Sequence, residues 1–120
     1  MQGVNEEVEL DEVDNQSTTT HFVARGQSIV GTCRLFPHKS NSRWGKVGRL
    51  AVLPAVRGRG IGSALLRAAE QHAEKAGMQG VILHAQTPAR RFYERAGYEV
   101  CSSEFLEDGL SHVAMRKALK

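Results

Sequence analysis

The sequence predicts one mixed α/β (α+β) domain organised around a central strand–helix–strand (βαβ) unit, on three observations. First, 120 residues at 41% apolar content suffice for one compact core and not for two. Second, an apolar run ending near Leu53 passes through Arg57-Gly58-Arg59-Gly60-Ile61-Gly62 into a long stretch of helical periodicity, and then into another apolar run. Third, short strand-like segments stand on both sides of that unit.

Residues 1–19 hold no sustained apolar period. Six acids (Glu6, Glu7, Glu9, Asp11, Glu12, Asp14) and no Lys or Arg stand among the first twenty residues, which reads as an acidic N-terminal segment, a flexible arm or a self-solvating loop. The domain proper is 20–120. His21-Phe22-Val23-Ala24 begins a strand, turned by Arg25-Gly26-Gln27 into its hairpin partner, Ser28 to Leu35. A polar loop from Pro37 to Gly45 precedes a third strand, Lys46 to Leu53, which Pro54 stops. From Gly60 to Ala76 the residues Ile61, Ala64, Leu65, Ala68, Ala69, Ala73 and Ala76 follow helical spacing, and Gly77 supplies the stop. Gln79 to Ala85 is a buried strand. Thr87 as N-cap and Pro88 at the first helical position then open a short helix to Ala96, with Ala89, Phe92, Tyr93 and Ala96 on one face. Gly97 ends it before a strand at Tyr98 to Cys101; a polar loop from Ser102 to Gly109 leads to a last strand near His112 to Arg116. Cys33 and Cys101 sit in strand-like apolar contexts without metal-ligand spacing and read as buried thiols.

Composition excludes several classes of function. No run of 18 apolar residues occurs and no signal peptide opens the chain, which reads as a soluble cytoplasmic protein with no membrane partner. The net charge is +3, but residues 21–120 carry sixteen bases against seven acids. With only seven aromatics and no basic-aromatic platform, that basic body suits a small polyphosphate better than nucleic acid. The Gly-rich segment is the place for it: a turn delivering the chain into a helix aims several N–H groups at one spot, the helix terminus adds partial positive charge, and Arg57 and Arg59 add full charges. It is not a Walker A loop, because Ile61-Gly62-Ser63 offers no Lys. It is not a dinucleotide fingerprint either, because the third glycine is replaced by Ser63 and no acid ends a strand at the required distance.

What remains, R-x-x-G-x-G at 57–62 preceded by Leu50-Ala51-Val52, together with Ala89-Arg90-Arg91-Phe92-Tyr93-Glu94-Arg95-Ala96-Gly97-Tyr98, resembles the GCN5-related N-acetyltransferase (GNAT) superfamily over residues 20–120. Leu83-His84-Ala85-Gln86 and the ending from Glu104 to Met115 are similar to its ElaA-like branch. The resemblance implies a GNAT-type mixed, mostly antiparallel sheet and an acetyl-CoA-dependent N-acetyltransferase acting on an amine acceptor, with no metal. It assigns the acetyl-CoA site to Leu50, Ala51, Val52, Arg57, Gly58, Arg59, Gly60, Ile61, Gly62, Gln86 and Tyr93, with the N–H of Val52 toward the oxyanion. The resemblance makes Tyr93 the expected acid for the leaving thiolate; for the base the candidates are His112, then His84, or Glu104, Glu107 and Asp108 through a water.

Two departures from the family pattern stand out. Gln86 replaces a common Asn. The first strand and the helices that wall the acceptor pocket are lacking before His21, with Gln2-Gly3-Val4 and the acids resembling the tail of that helical region, as in a chain that starts inside the fold. Such a chain leaves the edge at 20–24 open to pairing in a homodimer. The alternative function is a non-catalytic acyl-CoA-binding module with an incomplete acceptor site.

Overall fold

The computed structural model describes residues 9–14, 19–26, 28–41 and 43–119. Among the described residues, eight strands and two α-helices follow in the order β1 (Glu9–Asp14), β2 (Thr20–Arg25), β3 (Ile29–Pro37), β4 (Trp44–Val52), α1 (Ile61–Lys75), β5 (Gly80–Gln86), α2 (Arg90–Arg95), β6 (Glu99–Val100), β7 (Phe105–Glu107) and β8 (Leu110–Ala118). They form one sheet, β1-β2-β3-β4-β5-β8-β6, with β7 also on β8. β4 and β5 run parallel, joined by α1; the other pairings among the described residues are antiparallel. The mixed α+β class and the central βαβ unit read from the sequence are therefore the architecture observed.

Burial in α1 follows its 3.6-residue period. Ile61, Leu65, Leu66, Ala69 and Ala73 are buried against the sheet face that carries Phe22, Cys33, Leu35, Val47, Val81, Leu83 and Met115. Each buried Leu contributes about 1.5–3 kcal/mol. Close approach of helix to sheet depends on Gly31, where an added Cβ would stand 3.0 Å from Leu65 and 3.2 Å from both Ile61 and the Ala51 carbonyl. The Cys33 thiol donates to the Leu65 carbonyl at 3.7 Å, and burial pushes it up from its ordinary 9.0 to about 12. Both helices end in the same way. Met78 N–H reaches Ala73 O and Gly77 N–H reaches Glu74 O, while Tyr98 N–H reaches Tyr93 O and Gly97 N–H reaches Glu94 O, with both glycines at positive φ.

Four expectations are corrected. The acidic segment is not wholly an arm: Glu9–Asp14 pairs in register with Thr20–Arg25, so the 20–24 edge is covered. Two of its acids have partners, Asp11 with Arg25 at 2.9 Å and Glu12 with His72 at 2.8 Å, and these contacts together with the ladder to β2 hold a strand that lacks an apolar period. Gln2-Gly3-Val4, Glu6 and Glu7 lie outside the described residues. Cys101 is exposed, because β6 is only two residues long and ends before it. Thr87 caps nothing; it opens a 3-10 turn, Thr87–Ala89, and its hydroxyl bonds Ser111 at 2.8 Å. The loop from Ser102 to Gly109 contains β7, whose hairpin with β8 turns on Asp108 and Gly109, both at positive φ.

Candidate active site

The site begins where two parallel strands part. Pairing of β4 with β5 runs from Trp44↔Gly80 to Val47↔Leu83 and stops, although β4 continues to Val52 and β5 to Gln86. A bulge helps to drive them apart: the step from Thr32 to Arg34 on β3 is matched by Ala51 to Gly48 on β4, one residue more. Beyond the bulge, Leu53 N–H donates to Val30 O at 2.8 Å, which makes Gly31↔Val52 a non-hydrogen-bonded pair. The N–H and C=O of Val52 therefore face away from β3, into the opening. The carbonyl is taken by Arg57 Nε–H at 3.0 Å, so this arginine folds back over the strand end.

Two clefts occupy the opening. One, of about 680 Å³, is lined by Leu50, Ala51, Val52, Arg57, Gly58, Gly60, Ile61, Gly62, Ser63, Gln86, Ala89, Phe92 and Tyr93. Every residue expected in the acetyl-CoA site is there except Arg59. Gly58 and Gly60 have φ of 87° and 81°, and a Cβ on either would meet no protein atom within 4 Å, so both the turn and the space before it depend on glycine. Gly60 is the N-cap of α1, leaving the first-turn N–H groups directed at this cleft.

The second cleft, of about 580 Å³, is lined by Lys46, Val47, Gly48, Leu50, Arg57, Leu83, His84, Gln86, Ala89, Tyr93, Glu107, Asp108 and His112. Leu50, Arg57, Gln86, Ala89 and Tyr93 belong to both clefts. Glu104 does not line it; its carboxylate accepts from Ser111 at 3.3 Å. Lys46 and Ala89 were not expected to line the site. Lys46 carried a signal, since it alternates with Gly48 along β4, but nothing in the sequence told which face of that strand would be left open.

Tyr93 is fixed by the end of α2. Its carbonyl accepts from Tyr98 N–H at 3.0 Å, and its ring lies edge-on to Tyr98 at 6.1 Å and to Phe92 at 5.0 Å. Tyr98 in turn donates to Glu70 at 2.8 Å, and Lys117 joins Glu70 at 3.0 Å to the Ala96 carbonyl at 2.9 Å. Burial, with a smaller contribution from Cys33, pushes the Tyr93 hydroxyl up to about 12, so it is protonated at every ordinary pH. His112 is buried, stacks on Phe105 and donates through Nδ1–H to Leu110 O at 2.8 Å, which leaves Nε2 as its other ring nitrogen. His84 is not held by backbone as a plain strand histidine would be. It donates through Nδ1–H to Glu107 at 2.8 Å, and that bond holds the Glu107 carboxyl below the usual carboxylate range.

Two parted parallel strands with a glycine cradle at the start of the connecting helix make a cleft suited to an anionic ligand, and comparison with known proteins gives it a family. Residues 2–119 match the family described as acetyltransferase (GNAT) domain. The uncharacterized N-acetyltransferase YjcF of Bacillus subtilis (strain 168) is 39% identical over 118 residues, covering 97% of this chain and 81% of that protein. An acyl-CoA N-acyltransferase from Pseudomonas aeruginosa shares the fold with a TM-score of 0.74 at 30% identity, over 83% of this chain and 68% of that one. Escherichia coli ElaA has a TM-score of 0.74 at 22% identity, over 87% and 74%, a likeness of fold. The chain belongs to the GNAT acetyltransferase family. It is an enzyme of acetyl transfer with acyl-CoA as co-substrate. Among the described residues, no helix is long and apolar enough to cross a membrane.

Proposed function

We propose that this protein transfers an acetyl group from acetyl-CoA to an amine by direct attack on the thioester. The observation that carries the reading is the meeting of the two clefts at Tyr93, Leu50 and Gln86: one cleft for the donor, one for the acceptor, with a tyrosine between them. The pyrophosphate lies against the 58–62 cradle and Arg57, and the pantetheine arm runs along Leu50 to Val52 with the carboxamide of Gln86 beside it. The amine enters from the Lys46 side.

The new C–N bond forms as the carbonyl becomes an oxyanion, which the Val52 N–H is oriented to receive. His112 takes the ammonium proton at Nε2. The C–S bond then breaks, and Tyr93 hydrogen-bonds the departing sulfur. An ordinary thiol lies about 3 to 4 units below a tyrosine raised to about 12, so full proton transfer in water would run uphill. The same burial that raises Tyr93 raises a thiolate beside it, which narrows the gap and lets the hydroxyl complete the transfer.

Thiol release from acetyl-CoA, measured over a panel of primary amines, amino acids and peptide amines, tests the reading. Release that depends on the amine is expected. Tight acetyl-CoA binding by calorimetry without turnover on any amine would instead favour a non-catalytic acyl-CoA-binding module.

A further inference from the structure

We infer that His84 and Glu107 are positioning residues for His112, clamping the tip of the β7–β8 hairpin over β5 so that the His112 imidazole stands on the acceptor side of Tyr93. This inference rests on the acetyl-transfer reading above.

Strand registers bring the parts together. His84 and Gln86 share a face of β5, His112 lies opposite Gln86 on β8, and Phe105 lies opposite His112 on β7 with Glu107 two residues on. This is the face away from α1, since Leu83, Ala85, Val113 and Met115 take the core side. The Phe105 ring stands between the two imidazoles, edge-on to His84 at 5.0 Å and stacked on His112 at 6.0 Å with 23° between planes.

Among the described residues, β7 pairs with β8 alone. β8 is laddered to β5 as far as Gln86↔His112, but Leu110, Ser111 and β7 lie beyond that ladder, so among the described residues this hairpin tip meets β5 and the turn after it through side chains. These are the His84–Glu107 pair at 2.8 Å and the Thr87–Ser111 hydroxyl contact at 2.8 Å. The His112 ring is tied to this hairpin twice, by Nδ1–H to Leu110 O and by the Phe105 stack, so a tilt of the hairpin turns the imidazole. The ion pair is half-exposed, with side chains 29% and 44% accessible, and adds little to global stability. Its effect is local. The other charged groups facing it are Lys46 from β4, Asp108 in the turn, Arg57 and His112 itself.

The test is steady-state kinetics with acetyl-CoA and the best amine of the panel, on His84→Ala, Glu107→Gln and the double variant. Misplacing the base lowers acceptor kcat/KM by about 10- to 100-fold in either single variant, with the acetyl-CoA KM unchanged. The double variant is no worse than the singles, because both remove one clamp. His84→Asn, whose amide N–H can stand where Nδ1–H stood, recovers most of the loss. In NMR spectra the His112 ring protons, shifted upfield by Phe105, move toward ordinary histidine positions in both single variants. Acceptor kcat/KM within about twofold of the parent, or unmoved His112 resonances, overturns the inference while leaving the acetyl-transfer reading intact. Failure of the parent protein to bind acetyl-CoA overturns that reading instead, and the His112 resonances alone then decide the clamp.

Discussion

The cleft proposed for the donor offers chiefly backbone groups, and the one proposed for the acceptor offers side chains. On the proposed donor side the working parts are the N–H groups at the start of α1, the turned-out N–H of Val52 and two left-handed glycines, with Arg57 folded onto Val52 O. On the proposed acceptor side they are His84, Glu107, His112, Lys46 and Asp108, brought in from four strands and a turn. A donor common to a whole family can be met by a fixed backbone, whereas an acceptor pocket made of side chains can change one residue at a time. Tyr93, Gln86 and Leu50 stand in both, so the proposed chemistry lies where the backbone-built half meets the side-chain-built one.

Breaking that junction has the largest expected effect. Tyr93→Phe removes the donor to the departing sulfur and lowers kcat by about 10²- to 10⁴-fold, with the acetyl-CoA KM unchanged. A phenylalanine variant of full activity in the thiol-release assay would remove Tyr93 from the reaction. The donor half alone is broken by Gly60→Val. A β-branched residue at φ 81° meets a left-handed cost of about 1–2 kcal/mol, and its side chain projects into open space that the ligand needs, so acetyl-CoA affinity falls by about tenfold or more. Isothermal titration checks this, and in kinetics the acceptor KM is to stay as it was.

The smallest effect is read through pH. In the folded protein Cys33 and Tyr93 stay protonated to about 12, while unfolded they release protons near 9.0 and 10.0. The unfolded chain binds fewer protons in that range, so stability is full below pH 9 and declines as pH rises toward 12. Glu107 has the opposite sign. Its lowered value contributes stability above the ordinary 4.5 that is lost as pH falls through the folded value. Urea unfolding across pH reads both: Tyr93→Phe flattens the alkaline decline, and Glu107→Gln flattens the acid one. A parent protein whose stability is unchanged from pH 9 to 11 would contradict the burial assigned to these groups.

Legibility in the sequence follows the same division. Gly58 and Gly60 announced themselves because a left-handed turn into a helix needs glycine whatever surrounds it. The α1 face was legible because one helix must bury one stripe. β1 was not, because Glu9–Asp14 has no apolar alternation, and what holds it is pairing to β2 and ion pairs to Arg25 and His72, partners remote in sequence. β7 was missed for a similar reason: three residues between polar neighbours become a strand only because β8 lies beside them. His112 was visible as a titratable residue near a turn, and His84 as a strand histidine. That both press on Phe105, and that His84 holds Glu107, came from the register of β5, β7 and β8.

By itself, then, the sequence determined the βαβ unit, the glycine cradle and the place of Tyr93 on the short helix, all features set by residues within a few positions of one another. The tertiary structure decided the parting of β4 from β5, the direction of the Val52 N–H and the composition of the acceptor cleft. Local spacing fixes backbone conformation, but which side chains share a cavity depends on strand register and on where pairing stops, and those are settled only when distant segments pack.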